Sequence, residues 1–145
     1  MIKTILQVGC SATIFRCNYR GVLLTQRKDN GQWCLPGGRF DVGESVSEGC
    51  EREVEEETGL IVRVVRLTGV YSNKNNLIIY PDGNIVQAIS MNFDCQVIGG
   101  EIKISDETLD VRWFTVSNAI TMGLFHEHSR RIREAIIDTP NVFLH

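Results

Sequence analysis

Glu53, Glu56 and Glu57 are the residues of this sequence whose types and spacing point most directly to chemistry. On a helix that turns 100° per residue they project within about 100° of one another, so three carboxylates share one face. Like charges at such spacings repel each other by a few tenths of a kcal/mol per pair, and a divalent cation removes that repulsion. Because Mg2+ prefers oxygen ligands, the pattern predicts a magnesium site on this face.

The helix that carries these glutamates is delimited by its own sequence. Ser45 followed by Glu48 is a capping box, and Gly59 is a typical left-handed stop. We therefore predict a helix over residues 46–58. The helical wheel predicts an apolar stripe that packs on a sheet, formed by Val46, Cys50 and Val54. The opposite side is acidic and is predicted to face water; it is formed by Glu48, Glu51 and Glu55.

A solvated acidic helix is the usual meaning of such a run of charges. Here, however, the three carboxylates lie beside the apolar stripe instead of opposite it. Gly49 falls on the same face one turn before Glu53, and we expect its small size to leave space for a bulky anion such as phosphate. These features favour a metal site that handles phosphate.

The stretch from Gly38 to Leu60 resembles the Nudix box, G-x5-E-x7-R-E-U-x-E-E-x-G-U, in which U is a bulky aliphatic residue. At ordinary residue frequencies the chance of a full match is below roughly one in 10^8 per start position. The preceding residues 33–38 also resemble the lead-in of the MutT-like Nudix hydrolases. All nine specified positions are filled without a gap, by Gly38, Glu44, Arg52, Glu53, Val54, Glu56, Glu57, Gly59 and Leu60.

This resemblance implies a Mg2+-dependent hydrolase, with Mn2+ as an alternative ion, that acts on a nucleoside diphosphate linked to another group X. The substrate would be a nucleoside triphosphate, a nucleotide sugar or a related nucleotide derivative. Water would attack one phosphorus atom of a phosphoanhydride bond, as expected for a metal-assisted hydrolysis. The alternative is a non-catalytic nucleotide-binding or regulatory Nudix module. Such modules usually lose box residues, whereas this box is intact.

The resemblance also implies roles for the box residues. Glu56 and Glu57 are the expected metal ligands, and Glu53 is expected to be a ligand or a base that orients water. A backbone carbonyl at the position of Gly37 typically joins the metal shell in this family. We expect Arg52 to hold a glutamate in place rather than to contact the substrate, because it borders Glu56 on the wheel.

Four residues outside the helix are further candidates for the site. Gly38 lets the backbone come close to a ligand. Arg27 ends a predicted strand, where it either meets a substrate phosphate or is simply solvated. Trp33 either stacks on a nucleobase or packs in the core, and the core is the better-supported interpretation. Asp110 resembles an acidic position that contacts the substrate base in some Nudix enzymes, or it is a solvent-facing residue at the start of a strand.

A further catalytic base often comes from a loop outside the box in this family, and its position varies. Glu101, Asp106 and Glu107 are candidates in addition to Asp110.

The rest of the chain reads as strands followed by a terminal helix. Ser117 is predicted to cap a short helix, and Ile132, Ala135 and Ile136 form the apolar stripe of the terminal helix. We expect His126 and His128 on the surface, since their spacing does not put both rings on one helical face. The predicted strands are 7–16, 22–28, a short strand that leads to Pro36, 61–71, 77–80, 85–97 and 110–114, with a break at Gly99-Gly100. This order predicts an α/β fold, an α/β/α sandwich with a mixed β-sheet, which the Nudix resemblance also implies.

Length and composition bound the other possibilities. The 145 residues fit a single domain over 1–145. A net charge of −3 argues against binding of a nucleic acid backbone and favours a small nucleotide as partner, with a monomer or homodimer left open. The five cysteines have no CxxC spacing, which predicts reduced core thiols in a cytoplasmic protein. No segment approaches the length of a membrane span.

The identity of X is not determined by the sequence. Subfamilies that hydrolyse ADP-ribose or dinucleoside polyphosphates carry a proline or a tyrosine shortly beyond the box, where this chain has Asn75, Asn76 and Leu77. Residues 23–27 resemble the start of a coenzyme A pyrophosphatase motif, but the arginine-containing segment expected before the box is missing. A general hydrolase of nucleotide derivatives or nucleoside triphosphates remains.

Overall fold

The computed structural model describes residues 1–75 and 77–145, so Asn76, which lies between the predicted strands 61–71 and 77–80, is outside the described residues. Within those ranges the chain forms nine strands and three helices. In chain order these are β1 (Thr4–Arg16), β2 (Gly21–Arg27), β3 (Trp33–Cys34), β4 (Gly37–Arg39), α1 (Val46–Thr58), β5 (Leu60–Tyr71), β6 (Leu77–Ile79), β7 (Ile85–Gly100), β8 (Thr108–Thr115), α2 (Val116–Ala119), α3 (His128–Ile136) and β9 (Phe143–Leu144).

Strand β1 joins two groups of strands. It pairs with β2 at Phe15 and Arg16, and it runs parallel to β7 from Thr4 to Ile14. On one side, β2 pairs antiparallel with β3 and β8. On the other side, β7 pairs antiparallel with β5 and β6, β9 runs parallel to β5, and β4 pairs antiparallel with β1. The sheet is therefore mixed, as predicted.

Helices cover both faces of this sheet. Helix α1 packs on β1, β4 and β5, and α3 packs on β1 and β5 from the other side. Alternation along β1 separates the two faces: Ala12 belongs to the apolar core beneath α1, whereas Ser11 and Thr13 hydrogen-bond to Asn92 on the side of α3. This arrangement confirms the predicted α/β/α sandwich.

Helix α1 begins and ends where its sequence predicts. The Ser45 hydroxyl accepts the N–H of Glu48 at 3.1 Å, and the Glu48 carboxylate accepts the N–H of Ser45 at 2.8 Å. Gly59 ends the helix in the left-handed region with φ 78°. Cys50 is buried as expected, but Val46 is 40% exposed. The prediction for Val46 was wrong because a helical wheel gives the direction of a side chain and not the extent of the sheet beneath the first turn.

Glu51 also departs from the sequence prediction. It is half-buried, and its carboxylate accepts the backbone N–H of Val64 at 3.0 Å. Strand β5 shifts its register against β7 between Val64 and Arg66, so Glu51 satisfies a donor beside this irregularity. The other two glutamates predicted to face water, Glu48 and Glu55, are exposed.

Two predictions around β7 and β8 were wrong in their boundaries. Strand β7 continues through Gly99 and Gly100, which pair with β5 before the chain turns at Gly100 with φ 78°. Helix α2 is capped by Thr115 instead of Ser117, since the Thr115 hydroxyl accepts the N–H of Asn118 at 3.2 Å. In both cases hydrogen-bonded pairing with a neighbouring strand extends the strand beyond the residues at which the sequence predicted its end.

The terminal helix α3 buries Ile132 and Ala135 as predicted, but Ile136, its last residue, is 39% exposed. Its buried face also contains His128, Arg131 and Glu134. The prediction that His128 lies on the surface was therefore wrong, although His126 is exposed. His128 lies four residues before Ile132, which puts both on the same helical face.

All five cysteines are free thiols, and Cys10, Cys34, Cys50 and Cys95 are buried. Cys17 is exposed in the turn between β1 and β2. In the part of the chain that the structure describes, every helix is too short or too polar to cross a membrane.

Candidate active site

Arg52 organises the acidic face of α1. Its Nε and Nη2 atoms donate to the Glu44 carboxylate at 2.9 and 2.8 Å, and its Nη1 donates to Glu53 at 3.1 Å and to Glu56 at 3.2 Å. Nη2 also donates to the Arg39 carbonyl at 3.0 Å. Arg52 thus holds three carboxylates at once, in agreement with the expectation that it positions glutamates.

Glu57 is set apart from the other glutamates by its burial. The residue is only 8% exposed, and its two oxygens accept long hydrogen bonds from the Gly37 N–H at 3.3 Å and from the Thr25 hydroxyl at 3.5 Å. Among the described residues, no cationic side chain forms an ion pair with it. Burial raises the pKa of Glu57 to about 8, and the charges of Glu53 and Glu107 add to the rise.

In its burial and charge pairing, Glu53 is intermediate between the exposed Glu56, which pairs with Arg52, and the buried Glu57. Its side chain is 12% exposed, and burial raises its pKa while the hydrogen bond from Arg52 lowers it. The Glu53 carboxyl group lies against Gly38, where an added Cβ would be 2.5 Å from its Cδ atom. Glycine at position 38 therefore makes room for the carboxylate, and contact of Gly38 with substrate stays a prediction.

A cavity of about 690 Å3 opens beside Glu57. Its volume is in the usual range for small-molecule sites. The described residues that line it come from the end of the Nudix box, from strands β1, β2, β5, β6 and β7, from the loops that follow β2 and β7, and from the segment that leads into α3. They include Gly37, Gly38, Thr25 and Glu57; Arg27, Lys28, Asp106 and Glu107; and Tyr71, Ser90, Phe125, His126, His128 and Arg131.

Arg27, like Gly38, is a sequence-predicted substrate contact that the structure brings to this cavity. Its Nη2 pairs with Asp29 at 2.6 Å, and its guanidinium lies 3.9 Å from the centre of the Phe125 ring. Arg27 therefore forms part of the wall near the loop that precedes α3.

Trp33 and Asp110 are not among the described residues that line the cavity. Trp33 packs edge-on against Phe114, with ring centroids 4.8 Å apart, beside the second apolar core, which confirms the core interpretation. Asp110 pairs with Arg112 at 2.6 Å and accepts the N–H of Val111 at 2.8 Å. The structure thus does not bring Asp110 to the box helix.

Two of the other candidate bases do reach the cavity. Asp106 and Glu107 lie in the loop between β7 and β8 and line the wall near Glu57, whereas Glu101 is not part of the described lining. The charge of Glu107 raises the pKa of both Glu53 and Glu57, so it lies within electrostatic reach of the two box carboxylates. Glu107 is therefore the loop acid that the fold places best.

Gly49 does not leave space for phosphate, so this prediction was wrong. A Cβ on Gly49 would collide with the ring of Phe40 and lie 2.7 Å from the Glu44 Oε1 atom. Gly49 is buried, and its small size lets α1 pack against the preceding loop. The wheel placed it correctly beside Glu53 but could not show that another side chain already fills this space.

His128 and Arg131 are cavity residues that the sequence analysis missed. Both are 8% exposed, and His128 accepts the N–H of Leu35 on its Nδ1 atom at 2.9 Å. Burial lowers the pKa of His128 well below its usual value, and the charge of Arg131 lowers it further. Arg131 lies four residues before the buried Ala135, and this spacing was the available signal.

The carboxylates fit a magnesium ion, although they do not form a ready-made cage. Among residues 1–75 and 77–145, no three His, Cys, Asp or Glu side chains are grouped closely enough to hold a metal. Arg52 draws Glu53 and Glu56 to itself, while Glu57 turns toward Gly37. Mg2+ is usually bound by one or two carboxylates together with waters and substrate phosphates, so the buried and uncompensated Glu57 is a suitable ligand.

A family model described as the NUDIX domain matches residues 6–136. The chain belongs to the Nudix family. It is 40% identical over 109 residues to an ADP-ribose pyrophosphatase of Methanocaldococcus jannaschii. The aligned region covers 73% of this chain and 61% of that protein. It is 34% identical over 86 residues to the nucleoside triphosphatase NudI of Escherichia coli, which covers 57% of this chain and 61% of that protein.

The Nudix fold of the chain is also found in a solved structure. An ADP-ribose pyrophosphatase of Streptococcus suis superposes with a TM-score of 0.77 at 24% identity, over 96% of this chain and 98% of that one. This likeness supports the sandwich architecture described above. The chain spans about three fifths of the length of the two curated Nudix relatives.

Proposed function

We propose that this Nudix protein hydrolyses a phosphoanhydride bond in a nucleoside diphosphate linked to another group X and that the reaction depends on Mg2+. The observation that carries the proposal is the position of Glu57, a buried carboxylate that forms no ion pair within the described residues and lies at the edge of a substrate-sized cavity. The names of the curated relatives, a pyrophosphatase and a nucleoside triphosphatase, support the same class of reaction.

Glu56 and Glu57, together with the Gly37 carbonyl and with Glu53 as a further candidate ligand, would hold Mg2+, with Mn2+ as an alternative. When bound, such an ion neutralises charge on phosphoryl oxygens and lowers the pKa of water. Arg52 keeps Glu53 and Glu56 on the same side of α1 through its shared hydrogen bonds.

The chemical step adds water across one phosphoanhydride bond. The oxygen of water forms a bond to one phosphorus, the bridging P–O bond breaks, and two phosphate-containing products leave. The attacking water must lose a proton. We assign the carboxylates of Glu53 and Glu107 to orient this water and to accept its proton. Arg27 in the cavity wall would contact a phosphate oxygen of the substrate.

A panel of nucleotides, incubated with and without Mg2+, tests the proposal. The panel should contain nucleoside triphosphates, ADP-ribose and nucleotide sugars, and mass spectrometry of products formed in 18O-labelled water would show which phosphorus is attacked. We expect Mg2+-dependent release of two phosphate-containing products from at least one compound. If every phosphoanhydride survived at high enzyme concentration while nucleotides still bound, the chain would be a non-catalytic nucleotide-binding module.

Two glutamate-to-glutamine substitutions on the same helix provide a matched test and control. Glu57→Gln removes the buried carboxylate, whereas Glu55→Gln changes an exposed one. Activity that survives in the second variant and not in the first would show that the hydrolysis belongs to this site. We include in the proposal that residues 1–145 form one domain that acts in the cytoplasm as a monomer or homodimer.

A further inference from the structure

Arg131 is a buried guanidinium at the end of the cavity formed by α3. Its Nη1 atom donates to the hydroxyls of Ser11 and Ser90 at 2.9 and 2.8 Å, and its Cζ atom lies 4.6 Å from the centre of the Tyr71 ring. These contacts fix the position of the guanidinium. They supply neutral oxygens and a ring face but no negative charge.

The nearby carboxylates are engaged elsewhere. Glu134 accepts the Tyr71 hydroxyl at 2.8 Å, lies 2.8 Å from the His145 ring and pairs with Arg130 at 3.6 Å. Glu127 is 4.0 Å from Arg130; it also lines the cavity and its charge raises the pKa of Arg131, but it does not form an ion pair with Arg131. In the described part of the chain, Arg131 therefore forms no ion pair, and its Nε atom has no hydrogen-bond partner.

This charge persists in the folded protein at neutral pH. Burial lowers the pKa of Arg131 to about 10, which still leaves the side chain protonated. A buried charge that lacks a partner destabilises a protein by several kcal/mol, and buried charges are normally paired or bound to a ligand. A purely structural link between Ser11 and Ser90 needs hydrogen-bond donors but no full charge, so it does not account for an arginine at this position.

The geometry points to a ligand that brings the missing charge. Nη2 of Arg131 has no acceptor within the described residues, and the side chain lines the same cavity as Glu57. One elongated substrate can therefore extend from the box glutamates to Arg131. The diphosphate belongs at the box end, where the metal ligands are.

We propose that Arg131 determines specificity by binding a second anionic group of the substrate, a carboxylate or phosphate carried by X or by the nucleoside and distinct from the diphosphate. This inference rests on the proposed function, because it assumes that a nucleotide derivative occupies the cavity. It narrows the substrate class to compounds that carry a negative charge at the end remote from the bond that breaks.

Two matched pairs of compounds test the proposal and distinguish the two sources of the charge. UDP-glucuronate and UDP-glucose differ in a carboxylate on X, and ADP-ribose with and without a 2′-phosphate differs in a phosphate on the nucleoside. Binding is measured by calorimetry with Ca2+ in the buffer, and kcat/KM is measured with Mg2+. We expect the charged member of at least one pair to bind about tenfold tighter or more, as a charge-assisted contact predicts.

Three variants complete the test. Arg131→Met should bring the ratio of dissociation constants in the responding pair to about one, and Arg131→Lys should keep part of the preference. Arg130→Met is the matched control, since Arg130 is an exposed neighbour on α3 that is not among the described lining residues. Because Arg131→Met removes an uncompensated charge, its melting temperature should equal or exceed that of the wild type.

Equal affinities within both pairs for the wild type, or the same preference in the wild type and Arg131→Met, would overturn the proposal. If Arg131→Met does not fold, the test rests on Arg131→Lys. This variant keeps the charge but not the planar donor geometry, so it should show a reduced preference for the charged compound. A charge preference that depends on Arg131 without any hydrolysis would refute the proposed function alone. Hydrolysis without a charge preference would refute the role of Arg131 alone.

Discussion

Two arginines, one beside the glutamates of the box and one at the α3 end of the cavity, have inverted surroundings. Arg52 on α1 is shared by Glu44, Glu53 and Glu56. Arg131 on α3 contacts two hydroxyls and an aromatic ring and has no carboxylate partner among the described residues. One end thus has more negative charge than its arginine can neutralise, and the other has a positive charge without a counter-ion.

The contrast shows that the two ends are suited to different parts of a ligand. Excess carboxylates at the box end suit a metal ion and, through it, a diphosphate. The isolated guanidinium at the α3 end suits an anion directly. Helices α1 and α3 pack on different faces of the sheet, and among the described residues the box carboxylates and Arg131 do not form an ion pair with each other.

The largest effect is expected for Glu57→Gln, which removes the buried carboxylate of the box end. Turnover should fall by about 10²-fold or more, because the charge acts where the transition state builds charge. The melting temperature in EDTA should stay near that of the wild type, because a pKa of about 8 leaves the buried carboxyl group largely protonated at neutral pH, and glutamine is neutral and of the same size. Steady-state kinetics and thermal unfolding measure both quantities, and Glu55→Gln is the control. A parallel loss of activity and stability would indicate a structural role for Glu57.

A smaller effect is expected when the arginine of the box end is removed. Arg52→Met leaves three carboxylates without their common donor, so the unfolding free energy should fall by about 1–2 kcal/mol. Arg131→Met should show no such fall, because removal of a buried charge that has no ion pair among the described residues offsets the loss of its hydrogen bonds to Ser11 and Ser90. Urea denaturation of both variants measures the difference. A similar destabilisation in the two proteins would remove the distinction between the ends.

The pH dependence of stability should have one sign at the box end. The pKa of Glu57 rises from its ordinary value of 4.5 to about 8 on folding, so between these values the folded state binds more protons than the unfolded state. Stability from this group therefore increases as the pH falls, by about 1 kcal/mol from pH 7 to pH 6 without metal. Urea unfolding in EDTA should show this gain in the wild type relative to Glu57→Gln. Parallel curves would contradict the raised pKa.

His128, at the α3 end, should make the stability decrease as the pH falls, and this is the smallest of the expected effects. The pKa of His128 falls well below its ordinary value of 6.5 on folding, so the unfolded state binds more protons as the pH drops below 6.5. Stability should therefore decrease from pH 7 to pH 6 relative to His128→Asn, because the unfolded histidine gains protons that the folded one does not. The asparagine oxygen can still accept the Leu35 N–H, which makes this variant a suitable control. No difference between the two proteins would show that His128 can be protonated in place.

The sequence determined the box helix almost completely. Its bounds depend on the capping box at Ser45 and on the left-handed Gly59, which act over one helical turn and need no distant partner. The proximity of Arg52 to Glu53 and Glu56 also follows from helical spacing. Local geometry is the reason that these features could be predicted.

Only the tertiary structure decided how neighbouring residues differ in environment. Glu56 and Glu57 are adjacent in sequence, yet Glu56 is exposed beside Arg52 while β2 and β4 enclose Glu57 through Thr25 and Gly37. The space beside Gly49 is filled by Phe40, which a wheel drawn for one helix does not include. Arg131 reaches the cavity because α3 packs on β1, more than one hundred residues earlier in the chain. Burial and charge pairing depend on such long-range contacts, and therefore only the folded chain shows which groups are left for a ligand.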